Sequence, residues 1–108
     1  IFLARALVSS SPILIADEPL NSLDPSAQLR AMELLARRAG SGRPVIAAFH
    51  EIGLALRHAT KILIIRDGCM LAYAPPSIIV ESDALSRAYG VKFECYSTPY
   101  GYDVTFGR

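Results

Sequence analysis

The sequence has little of what marks a secreted, membrane-spanning or nucleic-acid-binding protein. Its two cysteines, Cys69 and Cys95, lie far apart and lack metal-ligand spacing, which favours reduced structural thiols in a cytosolic protein. The formal net charge is +1, so neither sign argues for nucleic acid or an acidic ligand. The apolar runs are far shorter than the ~20 residues of a membrane span. These absences leave one globular domain, or a piece of one.

The N-terminus also lacks two features. Residues 1–10 have neither the basic start nor the cleavage pattern of a signal peptide. They include no initiator methionine, so we expect the chain to be a fragment of a longer one. Apolar residues make up 52% of the sequence and charged residues 19%, which is more apolar than a typical soluble domain. We therefore expect a partner to cover part of the surface.

Strand and helix patterns alternate in the first half of the chain. The apolar spacing in residues 1–8 fits the end of a helix, and PILIAD and RPVIAAFH are short apolar runs typical of buried parallel strands. Between them, AQLRAMELLARRAG predicts an amphipathic helix. Its apolar face is expected to hold Leu29, Met32, Leu35 and Ala36. A short helix, EIGLALRHA, follows the second strand.

The second half favours hairpins and short helices. Asp67-Gly68 between two apolar runs predicts a β-hairpin. PPSIIVESDALSRAYG predicts one or two short helices, and two strands are expected around Pro99-Tyr100-Gly101. The whole order predicts an α/β fold with mainly parallel strands flanked by helices and with C-terminal β-hairpins.

The stretch ILIADEPLNSLD, residues 13–24, brings a buried strand up to two adjacent carboxylates. Asp17 at the strand end is a rigidly placed oxygen ligand suited to Mg²⁺, and Glu18 could accept a proton from an attacking water. His50 ends the next predicted strand, where an imidazole could reach a phosphate. Ligands of parallel sheets bind beyond these strand ends. The alternatives are capping or surface carboxylates and a satisfied, partly buried histidine, the reading we prefer for His58.

The turn LNSLD, residues 20–24, carries small polar side chains that can hydrogen-bond to backbone or to a partner subunit. Asp24 or Ser26 can cap the helix that follows, with Pro25 in its first turn. Alone, this turn is a weak signal.

The combined motifs resemble the second half of an ABC-type ATPase domain. ILIADEP, SLDP, an amphipathic helix, VIAAFHE and a strand ending in RDG follow one another as in that family. The DE pair at 17–18 matches the end of the Walker B strand, NSLD at 21–24 matches the D-loop, and His50 matches the switch histidine. FLARAL, residues 2–7, resembles the helix after the LSGGQ signature. The resemblance covers about residues 1 to 92.

The resemblance implies that residues 1–108 are the C-terminal portion of one ABC ATPase domain, a P-loop NTPase. The phosphate loop (Walker A), the Q-loop and the signature are missing, and none of the seven glycines precedes a lysine. The stretch from LDPSAQ to AYGV looks like the ATPases of iron–siderophore, haem and vitamin B12 importers, with molybdate and other metal-chelate importers as near neighbours. Phe49 and Glu51 depart from the residues common beside the switch histidine, but the imidazole is kept.

The resemblance also assigns roles. Asp17 would orient Mg²⁺ through water, Glu18 would be the general base that polarises the attacking water, and His50 would contact the γ-phosphate of ATP. Ser22 and Asp24 would lie at a dimer interface that couples two ATP sites. The implied partners are a second ATPase subunit, membrane-spanning permease subunits and, indirectly, a substrate-binding protein, with no nucleic acid. The implied location is peripheral, on the cytoplasmic face of the cell membrane.

Three other interpretations are open. A non-transport ABC ATPase is disfavoured by the compact spacing and the small net charge. A receiver module phosphorylated at Asp17 needs acidic residues at an earlier strand end, and none precedes Asp17. A non-catalytic remnant would keep the same site residues. The final hairpin, residues 93–108, is either an ordinary edge hairpin packed on the helices or a regulatory or dimer-contacting appendage, and we assign it no site.

We predict that the isolated 108-residue chain neither binds ATP well nor hydrolyses it. The backbone N–H groups and the lysine of a phosphate loop are the main anchors of the β- and γ-phosphates. A nucleotide titration followed by calorimetry checks this, and a dissociation constant in the low micromolar range would contradict it.

Overall fold

The computed structural model describes residues 14–17 and 22–108. The chain divides into two compact units, one ending at His50 and one beginning at Glu51. The helix predicted in residues 1–8 lies outside the described residues. Each unit is described by itself.

The first unit holds two parallel strands joined by a helix: β1 (Leu14–Asp17), α1 (Pro25–Gly40) and β2 (Val45–Ala48). β1 and β2 pair in parallel, from Leu14 opposite Val45 to Asp17 opposite Ala48. A parallel pair cannot be closed by a tight turn and needs a long crossover, here supplied by α1. The predicted parallel strands are confirmed over Leu14–Asp17 and Val45–Ala48, although β2 alternates half-buried and exposed residues instead of being buried along its length.

Helix α1 begins and ends where its sequence provides caps. Oδ1 of Asp24 accepts a hydrogen bond from the backbone N–H of Ala27 at 2.8 Å, and Pro25 occupies the first helical position. At the other end, the N–H of Ser41 donates to the carbonyls of Arg37 and Arg38, both at 3.1 Å. Of the two caps allowed by the sequence, the structure uses Asp24.

The buried face of α1 differs from the predicted one. Met32 and Leu35 are buried as expected, but Leu29 is 50% exposed and Ala36 is also exposed. Ala31 and Arg38 complete the buried stripe instead. At 3.6 residues per turn, positions 31, 35 and 38 lie on one side of the helix, whereas positions 29 and 36 lie close to the opposite side. The apolar residues of α1 therefore cover a larger part of the helix surface than the stripe that is buried in the first unit.

The second unit is built from hairpins and short helices. Its elements are α2 (Ile52–His58), β3 (Ile62–Arg66), β4 (Cys69–Ala74), α3 (Pro76–Ile79), α4 (Ala84–Tyr89), β5 (Lys92–Thr98) and β6 (Gly101–Gly107). β3 pairs with β4 and β5 with β6, both antiparallel. Asp67 and Gly68 have φ of 52° and 74°, the left-handed values that a tight two-residue hairpin turn needs. Both predicted hairpins are confirmed.

The core of the second unit lies where helices and hairpins meet. Its buried side chains are Leu56, Ile64, Ile79, Ala84 and Leu85. Along β3, Ile64 points into this core while its neighbours Leu63 and Ile65 are exposed, the alternation expected of a strand buried on one face. The predicted α/β fold with β-hairpins is confirmed. Among the described strands, the parallel arrangement is that of β1 and β2.

We predict that Asp24→Ala lowers the free energy of unfolding by about 1 kcal/mol, since the cap to Ala27 is lost. Asp24→Asn should restore most of it, because the asparagine side chain caps equally well. Urea unfolding followed by circular dichroism measures both variants. An equal loss in both would contradict the cap.

Candidate functional site

The end of β1 is one side of the candidate site. Asp17 is the last residue of β1 and lies opposite Ala48, the last residue of β2. Since the strands are parallel, both carboxyl ends reach the same edge of the pair. Glu18 and the side chain of Asp17 lie outside the described part of the structure, so their roles stay predictions. The backbone of β1 nevertheless fixes where the Asp17-Glu18 pair begins.

The end of β2 is the other side. His50 follows Ala48 by two residues, in a bend between β2 and α2, and its side chain is exposed. The side chain is therefore exposed rather than partly buried, and the role of His50 stays a prediction. His58 is also exposed, as the last residue of α2. A cationic or polar side chain there suits the negative end of a helix, which is a structural role.

The loop before α1 holds the predicted D-loop residues. Ser22 and Asp24 are both exposed. Asp24 caps α1, as the sequence allowed. Its carboxylate can still accept further hydrogen bonds. Ser22 has a φ of 66°, a conformation that costs an L-residue about 1–2 kcal/mol. The sequence predicts a turn here but not this left-handed residue. The small polar residues of the turn are the one signal that could have indicated it.

The donor chemistry at the β1–β2 edge fits a magnesium–nucleotide complex. Carboxylate oxygens are the ligands that Mg²⁺ prefers, and the parallel register gives Asp17 a defined place at a strand end. Among residues 14–17 and 22–108, no three His, Cys, Asp or Glu side chains group closely enough to hold a metal ion. Mg²⁺ bound with nucleotides commonly takes one or two carboxylates together with water and phosphate oxygens.

Polar contacts in the second unit tie elements together. Nη1 of Arg66 donates to the carbonyl of Arg87 at 2.5 Å, and Nε of Arg87 lies 3.0 Å from Oδ1 of Asp83. Nζ of Lys61 lies 5.1 Å from the centre of the Tyr73 ring. These contacts join a strand to a helix, span the first turn of α4 and flank a hairpin, so we assign them structural roles.

Both cysteines are free thiols, as the sequence suggested. Cys69 is exposed at the start of β4, whereas Cys95 is partly buried in β5. Burial raises the pKa of the Cys95 thiol, because it disfavours the charged thiolate. Neither thiol belongs to the candidate site.

The fold defined by these elements is that of an ABC transporter ATPase. The chain is similar to a structure described as a metal-chelate-type ABC transporter in an inward-facing conformation, with a TM-score of 0.77 and 21% identity over 97% of this chain and 43% of that one. It is also similar to cbiO1 of Clostridium perfringens, part of the ABC transporter complex cbiONQ. That match has a TM-score of 0.60 and 25% identity over 70% of this chain and 31% of that one.

The curated relatives that match the chain are named as import proteins. The chain is 33% identical to the hemin import ATP-binding protein HmuV of Nocardia farcinica, over 90% of this chain and 34% of the relative. It is 32% identical to the cobalamin import ATP-binding protein BtuD of Halobacterium salinarum, over 92% and 25%. It is 40% identical to the phosphonates import ATP-binding protein PhnC of Burkholderia pseudomallei, over 82% and 29%. No protein-family model matches the chain.

The chain is similar to ATP-binding subunits of ABC importers, the resemblance that the sequence motifs indicated. It spans about a third of the length of the HmuV relative and less of the other two. In the described part of the chain, no helix combines the length and the apolar character that crossing a membrane requires.

We predict that Cys69 is alkylated faster than Cys95 by iodoacetamide at pH 8. The raised pKa leaves less Cys95 as the reactive thiolate, and burial limits access to it. Mass spectrometry of timed samples measures both rates, with Cys69→Ser and Cys95→Ser variants to assign the signals. Equal rates, or faster labelling of Cys95, would contradict the burial.

Proposed function

We propose that this chain is the C-terminal portion of an ATP-hydrolysing subunit that energises an ABC importer. The observation that carries the proposal is the parallel pairing of β1 with β2, which ends both strands at one edge. Asp17 ends one strand, Glu18 is the next residue in the sequence, and His50 follows the other strand, so the residues proposed to handle a terminal phosphate start from the same edge. The import proteins among the relatives favour this function over a non-transport ABC ATPase.

The strands support the proposal that the chain is one portion of a longer domain. Strand β2 of the parallel pair exposes a large apolar side chain, since Ile46 is 59% exposed. Strands of the parallel sheets in such folds are normally covered on both faces. The longer relatives contain the additional residues that could supply this cover. We therefore infer that residues 1–108 are one portion of a domain whose phosphate loop, Q-loop and signature are supplied by the rest.

The proposed chemistry divides the site residues by role. Glu18 polarises the attacking water, and His50 contacts the γ-phosphate. Asp17 holds Mg²⁺ through water, and the ion, when bound, neutralises phosphate charge. Phosphoryl transfer needs little covalent help from the protein, so catalysis rests on positioning and electrostatic stabilisation. A stiff strand end supplies the positioning for two adjacent acids.

The proposed partners follow from this assignment. Ser22 and Asp24 would meet a second ATPase subunit, and the exposed position of both side chains allows such a contact. Permease subunits in the membrane would place the protein peripherally on the cytoplasmic face, with a substrate-binding protein acting indirectly and no nucleic acid involved. We propose an iron–siderophore, haem or cobalamin-type substrate, supported by the hemin and cobalamin relatives. PhnC is also an import protein but is named for phosphonates. The relatives therefore support the import function better than they support this substrate class.

We predict that Glu18→Gln in the complete subunit retains ATP binding but lowers kcat by about 10²- to 10⁴-fold, because the proton acceptor is lost. Steady-state phosphate release measures turnover, and equilibrium titration measures binding. Glu33→Gln, on the exposed side of α1, is the matched control and should behave as wild type. Normal turnover in Glu18→Gln would remove Glu18 from the mechanism.

A further inference from the structure

We propose that a groove at the C-terminal end of α1 binds inorganic phosphate or a phosphate monoester through arginine side chains. The groove has a volume of about 240 Å³ and is lined by Leu34, Arg37, Arg38, Ser41 and Arg43. We call it the arginine groove. All of its residues belong to the first unit, and the inference is independent of the proposed ATPase function.

The arginine groove lies away from the β1–β2 edge at which the candidate site begins. Helix α1 leads from the end of β1 to the start of β2, so its last turn lies beside the amino end of β2. Arg43 comes two residues before Val45, the first residue of β2. His50 comes two residues after the last residue of the same strand. The groove is therefore a separate place in the first unit.

The backbone that ends α1 brings two arginines together. Gly42 has a left-handed φ of 85°, and its N–H donates to the carbonyl of Ala39 at 3.1 Å. The N–H of Arg43 donates to the carbonyl of Arg38 at 3.4 Å. These are the two hydrogen bonds of a Schellman helix end, in which the residue after the glycine commonly makes an apolar contact with the last turn. Here arginines occupy both of these positions.

This pairing places like charges beside each other at a partly desolvated position. Arg38 is only 6% exposed, and Arg43 lines the same groove. Repulsion between like charges grows as burial lowers the effective dielectric constant. An anion in the groove would offset this repulsion, which gives the arrangement a physical reason to bind one.

The helix end does not need the arginine side chains as caps. The hydroxyl of Ser41 donates to the carbonyl of Arg38 at 2.7 Å, and its N–H donates to the carbonyls of Arg37 and Arg38. Within residues 14–17 and 22–108, the guanidinium groups of Arg37 and Arg43 pair with no carboxylate. Both residues are exposed, so their side chains can close on a ligand from solvent.

Charge and size together select the ligand. Residues 34–50 include three arginines and no aspartate or glutamate. Guanidinium groups match the oxygens of phosphates and carboxylates, but a phosphate monoester carries about −1.5 to −2 charges at pH 7, more than a carboxylate. Drug-sized ligands occupy pockets of roughly 300–1,000 Å³. The smaller arginine groove therefore fits a phosphate group and little of the molecule that carries it.

The test titrates the complete subunit with inorganic phosphate at constant ionic strength and follows the backbone amide signals of residues 41–43 by NMR. Saturable shifts are expected. The double variant Arg37→Gln, Arg43→Gln should raise the dissociation constant about tenfold or more, because charge-assisted hydrogen bonds are lost. Arg30→Gln, an exposed position of α1 outside the groove, is the matched control and should bind as wild type. Equal binding by the double variant would overturn the proposal.

Thermal unfolding separates binding from a structural role of the arginines. Without phosphate, Arg43→Gln is expected to unfold at the wild-type temperature or above it, because repulsion from Arg38 is relieved. With phosphate, the unfolding temperature of wild type should rise more than that of Arg43→Gln, since a ligand of the native state stabilises it. A less stable Arg43→Gln that gains as much from phosphate as wild type would identify a structural role and overturn the proposal.

Two further probes identify the source of the phosphate group. Arginine-dependent co-sedimentation with phosphatidylcholine vesicles that contain phosphatidic acid would assign a lipid headgroup. Arginine-dependent binding of inorganic phosphate without vesicle binding would assign a soluble phosphate compound. Titration with glutamate tests a carboxylate ligand, and glutamate that binds as tightly as phosphate would overturn the assignment. So would the absence of arginine-dependent binding to either phosphate probe.

Discussion

The parallel pairing of β1 with β2 is the constraint on which the candidate site depends. Two parallel strands close in sequence require a crossover, and α1 provides it, with Asp24 and Pro25 setting its first turn. The pairing brings the strand end at Asp17 opposite Ala48 and thereby places two functional segments at one edge. The proposal that Glu18 and His50 act on one phosphate rests on this register.

Much of this arrangement could be predicted from the sequence because it is encoded locally. The strand positions, the Asp67-Gly68 turn and the Asp24 cap each depend on a few neighbouring residues. The buried stripe of α1 could not be predicted from its apolar pattern, because Leu29 and Ala36 are as apolar as the residues that its unit buries. The contact of Gly53 with Asp103 could not be predicted either, since it joins residues fifty positions apart.

The relatives and the local chemistry together explain the composition of the chain. The HmuV relative is about three times as long as this chain and aligns with most of it. Exposed apolar strand residues such as Ile46 and Met70 fit a chain that packs against further parts of the same domain. In the proposed function, the rest of the subunit, its nucleotide and its partners cover the surfaces on which the exposed His50 and the hydrogen-bonded Asp24 lie.

The most direct measurement is an NMR comparison of His50 and His58. It uses the complete subunit carrying Glu18→Gln, with Mg²⁺–ATP and with Mg²⁺–ADP. If His50 meets the γ-phosphate at the β1–β2 edge, its imidazole signals shift with ATP and far less with ADP, while those of His58 stay unchanged in both. Equal responses of His50 to the two nucleotides, or none to either, would contradict the placement of the phosphate at this edge.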